Sequence, residues 1–174
     1  MLKRCSQLVV VLLFVGQAIA QGTVSLADGR LSFEIPNGFR ALTSGEIGLK
    51  YPSARPPQYA YANDRGGVSI AVTFSDTVVD LEQLPELQQA MEQMLPRIVP
   101  GLRWITRESV EINGRTWIHF EHLSSAVDTD IHNHMYMTSL DGRMLGINMN
   151  STVEAYAAAR PALTRSRNSI RVVE

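Results

Sequence analysis

The chain has a single cysteine, Cys5, and it falls in the first few residues. Beyond it the chain has no thiol to offer a disulfide, a nucleophile or a metal. Catalytic signatures are missing as well. The sequence holds no G-x-S-x-G, no H-E-x-x-H and no glycine-rich phosphate loop, so signature hydrolase, zinc-protease and nucleotide chemistries find no support. Charge of one sign is also scarce, with 16 basic against 17 acidic residues. A field that weak gives no reason to expect nucleic acid or an anionic membrane as a partner.

A long apolar run is absent too. Leu8–Val15 is far shorter than the roughly 20 apolar residues of a membrane span, and it stands between Lys3-Arg4 and the small-residue triplet Ala18-Ile19-Ala20. A basic head, a short apolar stretch and an A-x-A site together read as a secretory signal peptide over residues 1–20. Cleavage after Ala20 removes Lys3 and Arg4, so the basic count falls to 14 against 17 acidic residues, a net charge near −3. Lipid anchoring needs a cysteine just after the apolar stretch, whereas Cys5 precedes it. The expectation is a free periplasmic or secreted protein with no membrane anchor. The 154 of 174 residues that remain, 21–174, fit one domain with a core of its own.

What the chain does contain is legible hairpin punctuation. Asp28-Gly29, Asn113-Gly114 and Asp141-Gly142 each separate runs of strand character, and such pairs supply the positive φ of two-residue hairpins. Leu31, Phe33 and Ile35 alternate with polar residues, as do Val68, Ile70, Val72 and Phe74. Residues 103–112 and 115–123 should pair across Asn113-Gly114, and 130–140 with 143–149 across Asp141-Gly142. A first helix is expected over 80–98, with Pro85 in its first turn and Pro96 and Pro100-Gly101 at its end. A second is expected to start at a capping box, Ser151-x-x-Glu154, and to run to about residue 168, kinked at Pro161. The fold class is α+β, a mostly antiparallel β-sheet flanked by helices.

Phe33-Glu34-Ile35-Pro36-Asn37-Gly38-Phe39, a long helix, Glu111-Ile112-Asn113-Gly114-Arg115, and Asp141-Gly142-Arg143 before a last helix follow one another in an order that resembles the PsbP/DcrB-like family. The likeness spans nearly the whole mature chain and rests on turns and core positions. It implies an α/β/α sandwich. It also implies macromolecule binding, since that family includes an extrinsic photosystem subunit, a Ran-binding transport factor, envelope proteins and effector chaperones, with no shared catalytic residues. The leader disfavours the cytoplasmic chaperone branch, and the missing anchor cysteine disfavours the lipoproteins.

Two clusters are candidate sites. All four histidines lie close together, His119 and His122 on one expected strand and His132 and His134 on the next. His132 and His134 share a strand face. An even pairing register brings His122 to that face, whereas an odd one brings His119 and Glu121. Either gathers ligands suited to zinc or copper. The alternatives are histidines that merely fill the sheet between Phe120, Met135 and Tyr136, or a surface that gains charge near pH 6. The second candidate is a proline-rich loop, 51–67, offering Tyr59 and Tyr61 as a protein-binding surface. The alternative there is an edge of the sheet blunted by prolines. Trp104, Trp117 and the methionine pairs 91/94 and 135/137 read as core. The function expected is a non-enzymatic protein-binding or adaptor domain of the periplasm. The alternatives are an immunity protein against a delivered toxin and a histidine-based metal-binding protein.

Overall fold

The chain is described from a computed structural model that covers residues 22–173. The expected signal peptide, 1–20, lies outside the described residues. The first strands, β1 (Thr23–Leu26) and β2 (Leu31–Glu34), pair antiparallel. Their loop has four residues rather than the expected two. Leu26 pairs with Leu31, and Ala27, Asp28 and Gly29 all take positive φ, because two overlapping turns close it through Gly29 N to Leu26 O and Arg30 N to Ala27 O. β3 (Phe39–Ala41) follows, then α1 (Ser44–Lys50), β4 (Tyr59–Asn63) and β5 (Val68–Val78).

A single 3-10 turn, Leu81–Gln83, leads into α2 (Leu84–Ile98), so the α-helix starts four residues later than the sequence suggests. Pro85 sits at its start, where the missing N–H costs nothing. Then come β6 (Arg103–Ile112), β7 (Arg115–Ser125), β8 (Asp130–Leu140) and β9 (Arg143–Thr152). Both remaining hairpins have two-residue loops, with Asn113-Gly114 and Asp141-Gly142 in the left-handed region. The chain closes with α3 (Val153–Ser169), helical through Pro161, and β10 (Arg171–Val172).

The expected cap at Ser151 shifts by one residue. β9 continues through Thr152, and it is the Thr152 hydroxyl that accepts from Ala155 N at 3.2 Å. Ser151 still pairs in the sheet, with Val68 and His132, and is buried there.

The strands form a seven-stranded sheet ordered β3-β4-β5-β9-β8-β7-β6 and a small sheet ordered β1-β2-β10. Every neighbouring pair is antiparallel. One face of the large sheet is closed by α3 and the small sheet over Phe33, Ile70, Trp117, Tyr136, Ile147 and Leu163. The other is closed by α2 over Ile118, Phe120 and Met137, and by α1 over Ala60 and Ala71. Burying both faces makes the sheet the middle of three layers, an α+β sandwich of the expected class. No helix among the described residues is long and apolar enough to cross a membrane.

Of the 51–67 segment read as a loop, 51–58 is irregular and 64–67 is a turn, as expected, but the middle is a strand. Tyr59–Asn63 is a paired strand between β3 and β5. Tyr61 is buried with its ring edge-on to Phe33, so it belongs to the core and offers no binding surface. Tyr59 alone of the pair is exposed, edge-on to Phe74. Trp117 is fully buried as expected, whereas Met94 stands exposed on α2.

Candidate functional site

The register of β7 against β8 decides which histidines meet. Glu121 pairs with His134, His119 with Tyr136 and Leu123 with His132, which is the odd alternative. Side chains alternate along a strand, so His119 and Glu121 from β7 and His132 and His134 from β8 share the face beneath α3. His122 therefore leaves the cluster. It projects to the α2 face, buried edge-on against Trp104 at 5.6 Å, and its Nδ1 has no protein partner.

The side chains under α3 form one hydrogen-bonded chain. Glu108 Oε1 lies 3.2 Å from His119 Nδ1, and His119 Nε2 lies 3.1 Å from His134 Nδ1. His134 Nε2 is 3.0 Å from the Tyr156 hydroxyl, which also lies 3.3 Å from Glu121 Oε1. Glu121 Oε1 meets His132 Nε2 at 2.7 Å. The His132 ring stacks on Tyr156 with centroids 3.5 Å apart. These are five contacts, each needing one hydrogen. The neutral forms of His119, His134, Tyr156 and His132 supply one apiece. With both carboxylates ionised the chain is one positive charge short of closing every contact.

Burial pulls His134 down to about 4, reinforced by His119, His132 and Arg160 and opposed by Glu121. Near neutral pH it is an uncharged imidazole, with one ring nitrogen donating and the other accepting. Burial works to raise Glu121, but the bond from His132 and the charges of His134, His132 and His119 outweigh it, and its carboxyl lies below the ordinary value. Tyr136, beside His119, is pushed up to about 12 by burial. Tyr156 is raised by burial and by Glu121. A cavity of about 380 Å³ opens onto this chain between the sheet and α3, with Arg160 and Arg167 on its helical wall. Imidazoles and a carboxylate on paired strands make a ligand set for a cation and a relay for a proton.

Reasoning from the sequence brought in three of these histidines, and Glu121 under the odd register. It missed Glu108, Tyr156 and Arg160. Glu108 faces the site because β6 pairs with β7 as Glu108 with His119, a register that the two-residue turn at Asn113-Gly114 already dictates. Tyr156 depends on how α3 lies across the sheet, for which no local signal exists.

No protein-family model and no curated protein matches the chain. Solved structures do. Cyanobacterial PsbP (CyanoP) from Synechocystis sp. PCC 6803 superposes with a TM-score of 0.65 at 14% identity, covering 91% of this chain and 96% of that one. LpqN of Mycobacterium tuberculosis, involved in cell envelope biogenesis, gives 0.58 at 12%, covering 88% and 90%. The Ran-binding protein Mog1p of Saccharomyces cerevisiae gives 0.53 at 13%, covering 89% and 97%. The architecture is thus a three-layer α+β sandwich shared across distant proteins. It is the PsbP-like fold, as the order of the turn motifs implied.

Proposed function

We propose that this chain is a non-enzymatic binding or adaptor protein of the cell envelope, exported to the periplasm by residues 1–20 and engaging a protein partner there. The observation that carries the reading is the exposed margin of the large sheet at β6. Among the described residues this ten-residue strand is the last in the sheet and pairs with β7 alone, so no described strand neighbours the backbone groups of its outer margin. Ile105, Arg107, Glu108, Ser109 and Glu111 are exposed along it. A free sheet edge is a template for an added strand or loop, and flanking charges select among partners. The bulge between Trp104 and Thr106 limits indiscriminate pairing with further copies. The envelope role of LpqN and the partner binding of Mog1p, carried on the same fold, support the reading by analogy.

The test places a photoreactive residue at Ser109, and separately at Val127, in the full chain made with its own leader in the native cell. Val127 is fully exposed and lies off β6, in the loop before β8. The expected result is a discrete heteromeric adduct from position 109 alone, on protein whose amino terminus begins at Gln21. Equal labelling from both positions, or an uncleaved leader on the isolated protein, overturns it.

A further inference from the structure

We propose that His119, Glu121 and His134 bind one transition-metal ion of the zinc or copper class, entering through the cavity under α3. Each of the three offers a ligand atom, and these atoms all lie within 4.8 Å of one another. Metal–nitrogen bonds of about 2.0–2.1 Å in tetrahedral array set neighbouring ligand atoms roughly 3.3 Å apart. The observed 3.1 Å between His119 Nε2 and His134 Nδ1 lies close to that spacing, and with Nδ1 on the ion His134 Nε2 keeps its contact with the Tyr156 hydroxyl.

Backbone placement makes the set rigid. Residues 119 and 121 are successive same-face positions of β7, and 134 lies directly opposite 121 on β8, so all three ligands stand on interior strands rather than loops.

The surroundings are those of a built site. A metal-binding imidazole ordinarily presents its other nitrogen to a carboxylate that fixes its orientation. Glu108 does this at His119 Nδ1, which turns Nε2 toward the centre of the cluster. His132 and Tyr156 both hold Oε1 of Glu121, and its Oε2 makes no hydrogen bond among the described residues. Three protein ligands leave a fourth position facing the cavity, the arrangement of a site with an exchangeable ligand.

Charge points the same way. An ion displacing the His119–His134 hydrogen bond supplies the positive charge that the chain lacks, between Glu108 and Glu121. Arg160 and Arg167 on the opposite wall oppose the cation and suit an anion or a partner carboxylate in the fourth position. Two imidazoles with one carboxylate favour zinc or copper over magnesium or calcium, which prefer oxygen ligands. The inference stands on this geometry and does not depend on the adaptor reading.

The experiment is a zinc titration of the processed full chain, followed by calorimetry and by the nitrogen resonances of its four imidazoles. Expected are one equivalent bound, with shifts at His119 and His134 and none at His122 on the other face. His134→Ala should weaken binding at least about 100-fold. Glu108→Gln should weaken it about 10- to 100-fold, as outer-shell losses do. His122→Ala should leave it unchanged. Zinc shifts centred on His122 overturn the proposal, as do undiminished binding in His134→Ala or no binding below millimolar zinc. The wild-type resonances decide the matter even if His134→Ala fails to fold.

Discussion

The two faces of the large sheet each carry a row of polar side chains across its middle strands, and they treat it differently. Under α3 the row runs Glu108, His119, His134, Tyr156, Glu121 and His132, each joined to the next by a hydrogen bond. Under α1 and α2, Ser69 pairs with Asn150, Asn150 with Asn133 and Asn133 with His122. There Asn133 is well held, donating to Ser124 and to the carbonyls of His122 and Ile131. Yet Asn150 Oδ1, Asn148 Oδ1 and His122 Nδ1 have no protein partner. Burial is common to both faces, and it pulls His134 and His122 alike down to about 4. What separates them is connection: burial makes a histidine neutral, but only partners make it part of a site.

The sharpest way to break that contrast is to remove one histidine from each face. His134→Leu leaves His119 Nε2 without its partner and removes one of the two partners of the Tyr156 hydroxyl, and a buried polar atom left unpaired costs about 1–3 kcal/mol. His122→Leu strands no hydrogen-bonded side chain and fills the same space against Trp104, so its effect should stay within about 1 kcal/mol of zero, with stabilisation the favoured sign. Urea unfolding of metal-free protein compares them. Equal losses, or the larger loss at His122, would erase the distinction drawn between the faces.

Acid titration gives the next largest effect. Both imidazoles fall from an ordinary 6.5 to about 4 in the fold, through burial first, with His132 adding to the shift at His122. Between those values the unfolded chain binds more protons than the folded one, so stability rises with pH across the window. The contribution is complete above about 6.5 and is lost as pH falls toward 4. Below about 4.5 the lowered carboxyl of Glu121 adds loss in the same direction. The urea midpoint should decline from pH 7.5 to 4.5 in the parent chain and decline less steeply in His122→Leu. A variant profile as steep as the parent's would remove His122 from the account.

Which strand registers were legible from the sequence, and which was not, follows from the turns. Asn113-Gly114 and Asp141-Gly142 lock β6 to β7 and β8 to β9, so those registers could be read from two residues each. The link between β7 and β8 is Ala126–Thr129, closed by Ala126 N to Thr129 O, and carries no glycine to mark its geometry. Hydrophobic alternation cannot decide that register either, because Ile118, Phe120 and Met137 are buried on one face while Trp117 and Tyr136 are buried on the other. The parity of the histidine pairing therefore stayed open until the tertiary structure closed it. Tyr61 was misjudged for a related reason. Nothing near it in the sequence announces that β2 brings Phe33 over it. By contrast α1 carries a local signal, since Thr43 and Glu46 form a reciprocal capping box of the kind expected at Ser151.

Ser151 and Thr152 offer the finest test, because they put an orphan on the connected face. Ser151 Oγ is buried beneath α3 beside His132 and has no protein partner, a property otherwise typical of the opposite row. Trp117 Nε1 shares it. If connection rather than face decides what a polar group contributes, Ser151→Ala should change stability by less than about 0.5 kcal/mol despite its position. Thr152→Ala should cost about 1 kcal/mol, because it deletes the hydroxyl that holds Ala155 N at the start of α3. The reverse order in thermal unfolding would mean that the helix begins one residue earlier, with Ser151 turned out of the sheet. The end of β9 next to His132 would then be placed differently, and the support that His132 gives Glu121 would have to be redrawn with it.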